Sequence, residues 1–292
     1  INHSIGEKSG KKTGKMSSIV VKDVEENNSL IWYRNDLRVD NHSGLINAIR
    51  NSDKVLGFYC FNLKMFELNE LNFHKTDSYR AKFLIESVEN LKTELNKNNI
   101  SLIIKIGDPV EELTNIISKK NINHVYFQNE WTEEESQEEK SLKNKCDRVK
   151  FHSFYGQFLY DPEDLEIQNI SNVFTNFRKH CEKKIEVRNL TDSLTKLNPS
   201  NLIREDYNVP TLADLGLNDF DVDSRSAFKF KGGSDSAKER VDYYLWKSNK
   251  ISYYKKTRNG LIGLDYSSKF SAWLSNGSIS PIEIFWQIKD YE

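Results

Sequence analysis

Leu102-Ile103-Ile104-Lys105-Ile106-Gly107-Asp108-Pro109-Val110-Glu111 holds a strand, a turn and a helix start in direct succession. Leu102–Ile106 is a short, mostly apolar run of strand length. Asp108 stands at the N-cap position and Pro109 at the first helical position, where a missing N–H does no harm; Glu111 completes a capping box. A strand running straight into a capped helix is half of a βα unit, and the unit repeats outward from here. His124–Phe127 is followed by Thr132 with Glu135, a second capping box. Leu30–Tyr33, Val55–Cys60 and Val149–Phe154 supply three more strands, and Phe83, Leu84, Val88, Leu91 and Leu95 mark one face of a long helix. Apolar strands joined by helical crossovers require a parallel sheet covered on both faces. Residues 29–160 are therefore expected to form an α/β domain, a doubly wound five-stranded parallel sheet, with ligands beyond the carboxyl ends of its strands.

The flanking segments differ in character. Residues 1–28 mix Lys, Ser, Gly, Asn and Glu without a period and are expected to be a flexible leader; they lack the apolar stretch of a secretory signal. Asp161-Pro162 closes the α/β domain, and 161–228 is a loop-rich connector with Pro199, Pro210, the polar stretch Asp214–Ser226 and one helix near Val173–Lys184. From 229 to 292 the period is helical. Ala237, Val241 and Leu245 share a face behind Gly232-Gly233-Ser234, and Ser280-Pro281 with Glu283 starts another helix. The chain ends at Asp290-Tyr291-Glu292 with no glycine cap or turn signal, so this all-α region is expected to be incomplete, with apolar faces such as Ala237/Val241/Leu245 and Phe285/Ile288 left uncovered.

Composition narrows the function classes. The chain has 292 residues, 37% hydrophobic and 29% charged, enough for two cores, and no apolar run approaches a membrane span. Cys60, Cys146 and Cys181 are far apart, the histidines show no ligand spacing, and no metal site is expected. No phosphate-binding P-loop, dinucleotide fingerprint or nucleophile elbow occurs. The net charge is −1, yet Lys229 to Lys269 holds ten Lys/Arg against four acids, which is either a local nucleic-acid patch or a solvated helix face.

Three stretches carry a family resemblance. Trp32-Tyr33-Arg34-Asn35-Asp36-Leu37-Arg38-Val39-Asp40-Asn41 resembles the first strand and loop of the cryptochrome and DNA photolyase family, and Val173-Phe174-Thr175-Asn176-Phe177-Arg178-Lys179 resembles its connector. Tyr254-Lys255-Lys256-Thr257-Arg258-Asn259-Gly260-Leu261-Ile262-Gly263-Leu264-Asp265-Tyr266-Ser267-Ser268-Lys269-Phe270-Ser271-Ala272-Trp273-Leu274, followed by Gly277 and Ile279-Ser280-Pro281, is the most specific block, and the DASH-type cryptochromes are the branch it resembles most. The resemblance implies a helical domain holding FAD, excited by blue or near-ultraviolet light, and a photolyase-type enzyme that splits cyclobutane pyrimidine dimers, in this branch in single-stranded DNA. An unpaired or damaged base is the easier one to extrude from a stack. The alternative is a light-sensing signalling cryptochrome without repair.

By the same resemblance, Ser267, Ser268 and Ser271 meet the FAD diphosphate, Lys269 and Phe270 add backbone contacts, and Tyr254 or its neighbour Tyr253 lies by the phosphate or ribose. Their plain alternative is a serine-rich helix start beside a packed tyrosine. Glu130 corresponds to the acid that meets a folate antenna, methenyltetrahydrofolate; equally it is one more acid at the start of an acidic helix. Catalytic residues are expected beyond residue 292. Arg34, Asp36 and Arg38 read as an internal network holding a loop, and Trp246, Trp273 and Trp286 as core aromatics. The expected compartment is the cytoplasm if the protein is bacterial and the nucleus or an organelle if it is eukaryotic; with no apolar signal stretch, secretion is not expected.

Overall fold

The computed structural model describes residues 26–165, 170–261 and 263–292; nearly all of the expected leader lies outside these. Five strands, β1 (Asn28–Trp32), β2 (Lys54–Asn62), β3 (Leu102–Gly107), β4 (His124–Gln128) and β5 (Lys150–Phe154), pair in the order β3-β2-β1-β4-β5. Every pairing is parallel. The crossovers carry helices α1 (Ser43–Asn51), α2 (Ser78–Lys97), α3 (Pro109–Lys119) and α4 (Glu133–Lys145). This is the doubly wound sheet that the strand and helix signals demand.

Alternation along β1 divides the core in two. Ile31 faces a cluster with Leu45 of α1 and Val88, Leu91 and Leu95 of α2; Leu30 and Trp32 face another with Leu113 of α3 and Leu142 of α4. All but Trp32 are at most 1% exposed, and burying such a side chain contributes about 1.5–3 kcal/mol.

The helix starts fall where expected, with part of their chemistry changed. Asp108 accepts from Val110 N (3.0 Å) and Glu111 N (3.2 Å), but Glu111 turns outward to Lys145 instead of reaching back. Thr132 is the N-cap of α4, yet its hydroxyl makes no cap bond. Both are N-caps without the reciprocal half of the box; at the first, Glu111 pairs with the full charge of the Lys145 ammonium instead of the Asp108 amide.

The connector, with α5 (Phe174–Lys184) near its start, is less polar in effect than in composition. Asn201 is buried, accepts from Val55 N (2.9 Å) and donates to Val55 O (2.9 Å) and Asn99 O (2.8 Å), pinning the connector to the start of β2. Leu215 and Leu217, inside the stretch that reads as polar, fill the α1/α2 cluster.

The C-terminal region contains α6 (Ser234–Asp242), a π-turn at Tyr243–Lys247, α7 (Tyr254–Thr257), α8 (Ser271–Ser275) and α9 (Pro281–Tyr291). Ser280 caps α9 by accepting from Ile282 N (3.2 Å). Ala237, Val241 and Leu245 are buried with Trp273, Ile279 and Ile284, so the expectation that this face is uncovered is overturned. Short segments folding back across α6 cover it, which a helical period alone does not reveal.

This region docks on the second face of α2. Phe83 packs on Phe228 and Trp273 rather than in the sheet core. Ser87 Oγ donates to Phe83 O (2.7 Å) and accepts from Gly233 N and Asn276 Nδ2 (both 2.9 Å). Gly277, at φ +69°, lies so close to the β1 loop that a Cβ there would stand 2.0 Å from Asn35 O. Backbone cannot retreat as a side-chain tip can, so Gly277→Ala is expected to lower unfolding free energy by about 1–3 kcal/mol. Urea denaturation checks this, and proteolysis should release the segment after Gly232 before the sheet.

Candidate cofactor site

The serine loop is built around a buried arginine. Arg240, on α6 and 4% exposed, donates from Nε to Ser268 O (3.0 Å), from Nη2 to Leu264 O (2.8 Å) and Ser267 O (3.2 Å), and from Nη1 to Asp265 Oδ1 (3.1 Å). Its guanidinium lies over the rings of Phe230, Tyr243 and Tyr244 at 5.0–5.2 Å. Lys269 adopts the left-handed conformation (φ +65°), Phe270 is buried edge-on to Tyr244, and α8 begins at Ser271. Ser267 and Ser268 are half-buried and Ser271 is exposed.

Tyr254 opens α7 and is exposed, as is Tyr253. The Tyr244 phenol is pushed up chiefly by burial; Arg240 opposes the shift, and the nearby Tyr254 adds to it. Thr257 Oγ1 donates to Tyr266 O (3.3 Å), which ties α7 to the serine loop. The structure thus brings Tyr254, Ser267, Ser268, Lys269, Phe270 and Ser271 into one neighbourhood.

The basic stretch resolves into two kinds of residue. Arg240 is internal, Lys238 pairs with Asp40 and Lys247 with Asp242. Lys255, Lys256 and Arg258 on and after α7 are exposed and make no ion pair among the described residues. Sequence reading missed the role of Arg240, counted there as one charge of a surface patch; its spacing behind Ala237 on one helix face was the available signal.

Glu130 lies apart from the serine loop, beyond the carboxyl end of β4 and before α4. Its Oε1 accepts from Asn35 Nδ2 (3.2 Å) and Gln128 Nε2 (3.3 Å). Burial pushes its carboxyl up, partly opposed by Arg34 and those two hydrogen bonds. Arg34 itself donates to Glu139 (2.6 Å) and Glu135 O (3.1 Å) and lies over Trp32. Asp36, fully buried, accepts from Arg34 N (2.7 Å) and from His42 Nε2 (3.0 Å), while His42 Nδ1 caps α1 at Leu45 N (3.0 Å). Arg38 donates to Gly277 O (2.9 Å) and Gly156 O (3.0 Å). The three residues are an internal network, as their pattern indicates, and Arg38 extends it into the helical region.

A cleft of about 740 Å³ opens beyond the carboxyl end of β2, between the sheet and the helical region, with Phe61, Asn62, Phe83, Phe228, Lys229 and Ser275 among its walls. It was invisible in the sequence because its lining comes from segments far apart in the chain. Trp273 is fully buried and donates to Lys231 O (3.1 Å), Trp286 is half-buried, and Trp246 is 45% exposed. Trp246 is thus not a core residue: the π-turn shifts the register so that Tyr244 and Leu245 face inward. No described helix is long and apolar enough to cross a membrane, and no group of three or more His, Cys, Asp or Glu among the described residues could hold a metal ion.

Comparison with known proteins agrees with this architecture. The chain is 38% identical over 267 residues to a cryptochrome DASH of Gloeobacter violaceus (90% of this chain, 53% of the relative) and 39% identical over 266 residues to one of Xenopus laevis (89% and 51%). It superposes on the crystal structure of a Synechocystis cryptochrome with a TM-score of 0.85 at 34% identity, covering 91% of this chain and 56% of that one. The chain spans about half the length of the curated relatives it matches. The family model for DNA photolyase matches residues 29–198, more than half of the sequence. The chain belongs to the DNA photolyase family and, within it, resembles the cryptochrome DASH proteins.

Proposed function

We propose that this chain supplies the α/β domain and one wall of the flavin site of a light-driven flavoprotein that repairs cyclobutane pyrimidine dimers, preferentially in single-stranded DNA. The observation that carries the reading is the serine loop. Three of its carbonyls are turned onto Arg240, and in a trans peptide the N–H points opposite to the carbonyl, so the Ser268 and Lys269 amides face away from the arginine. Neither amide has a partner among the described residues, and the Ser267 and Ser271 hydroxyls make no hydrogen bond there. Such donors fit the diphosphate of FAD, an anion rich in acceptors. Bound there, reduced FAD would supply light-driven, reversible one-electron donation to a dimer.

The chain's own residues have simpler tasks. Ser267, Ser268 and Ser271 bind and orient the diphosphate, with Lys269 and Phe270 setting the backbone, and Tyr254 covers the phosphate or ribose from α7. Lys255, Lys256 and Arg258 offer charge to a nucleic-acid backbone. Glu130 holds the ring edge of a folate antenna, since a carboxylate accepts from two adjacent N–H groups.

In the full-length protein, Ser268→Ala with Ser271→Ala should reduce flavin absorbance per protein after gel filtration, and full retention sinks the site. Repair is read as light-dependent loss of dimers from a thymine-dimer oligonucleotide; flavin retention without repair would favour the signalling cryptochrome. Glu130→Ala should abolish folate fluorescence and spare the flavin. A carboxyl raised in the folded state contributes stability that is present below its unfolded value, about 4.3, and is lost as pH rises through the folded value. Glu130→Gln should therefore have a melting temperature similar to the parent in acid and above it at neutral pH; the reverse trend would show that the charged form is the favoured one.

A further inference from the structure

We infer that Arg240 is the positioning residue of the diphosphate site, acting through the backbone of the serine loop without touching the ligand; this rests on the flavin reading above. A surface-facing arginine would bind phosphate directly, but this guanidinium is 4% exposed and already engages four acceptors. Three of the four are carbonyls of one short loop, Leu264, Ser267 and Ser268. Each carbonyl drawn inward turns the following N–H outward, so one buried cation aligns several peptide dipoles with their positive ends toward an incoming anion. The polarised bonds strengthen one another in a site of low dielectric.

The geometry depends on a planar fork. Phe230, Tyr243 and Tyr244 surround the guanidinium, each ring centroid 5.0–5.2 Å from its central carbon, while its N–H groups reach the loop. Asp265 Oδ2 also accepts from Tyr243 OH (3.1 Å), so the one carboxylate in the arrangement is itself oriented by the ring beneath the arginine. A lysine has neither the fork nor the plane, and it cannot satisfy three carbonyls spread over five residues. At Lys269 the left-handed turn redirects the chain so that Phe270 enters the core and Ser271 starts α8.

The test is a double-mutant cycle on the full-length protein, with the FAD dissociation constant measured by flavin fluorescence. Arg240→Lys should weaken FAD about tenfold or more, as expected when a charge-assisted network is lost. Combined with Ser268→Ala and Ser271→Ala it should add little, because both changes damage one cradle. Unchanged affinity in Arg240→Lys, or losses that multiply as if independent, would overturn the inference; the second result marks a general structural role. Asp265→Asn, which keeps shape and one acceptor, decides the matter if Arg240→Lys does not fold: it should cause a smaller loss that is likewise non-additive with the serine changes. Normal FAD binding by the serine variant alone overturns the flavin reading instead, whatever Arg240 does.

Discussion

The contact on which the rest of the molecule depends is the close approach of Gly277 to the Asn35-Asp36 backbone. No side chain fits between them, and two hydrogen bonds fasten the junction: Leu37 N donates to Asn276 O (3.2 Å) and Arg38 Nη1 to Gly277 O (2.9 Å). Through Asn276 and Ser87 the same junction reaches α2, whose other face is packed in the sheet core. The helical region is thereby indexed against the carboxyl ends of the strands, and the large cleft lies between the two. Glycine is required here both for its positive φ and for the absence of a Cβ.

Two buried arginines do comparable work at opposite ends of this arrangement. Arg38 and Arg240 each spend most of their donors on backbone carbonyls, and each is almost fully removed from water. Burial pushes the Arg38 guanidinium below its ordinary range, against the pull of Asp36 and Glu283. A guanidinium stays charged at such a site and, being weakly hydrated and planar, is the cation least penalised by it. What it gains is directional: backbone carbonyls converge on one cation, from separate segments at Arg38 and from a single loop at Arg240, which apolar packing does not enforce. Arg38 sets the position of a domain, and Arg240 sets the shape of a loop.

The acidic side of the sheet shows the converse. Glu130 and Glu138 both have carboxyls raised mainly by burial, and Arg34 lies among them as the compensating cation. Arg34 is held over Trp32, so the end of β1 carries the charge that makes an acidic α4 tolerable next to it. Asp36 is held separately, accepting hydrogen bonds from His42 Nε2 and the Arg34 amide, and stiffens the loop that meets Gly277.

Much of this was legible in the linear chain. Local signals, the apolar runs, Asp108-Pro109 and Ser280-Pro281, placed strands and helix starts because caps and periodicity act over a few residues. The parallel sheet followed from them, since strands joined by helical crossovers have few other arrangements. The serines and Glu130 could be singled out only through resemblance, for nothing in their spacing separates a ligand site from a helix start. Tertiary structure alone decided that Glu111 turns to Lys145, that Leu215 and Leu217 of a polar stretch enter the core, that Trp246 faces outward, and that Arg240 is a clamp rather than a surface charge. Each of these depends on which distant segment lies opposite a residue. A sequence fixes its near neighbours through backbone geometry, whereas the partner of a charge or the cover of an apolar face exists only once the chain has folded back on itself.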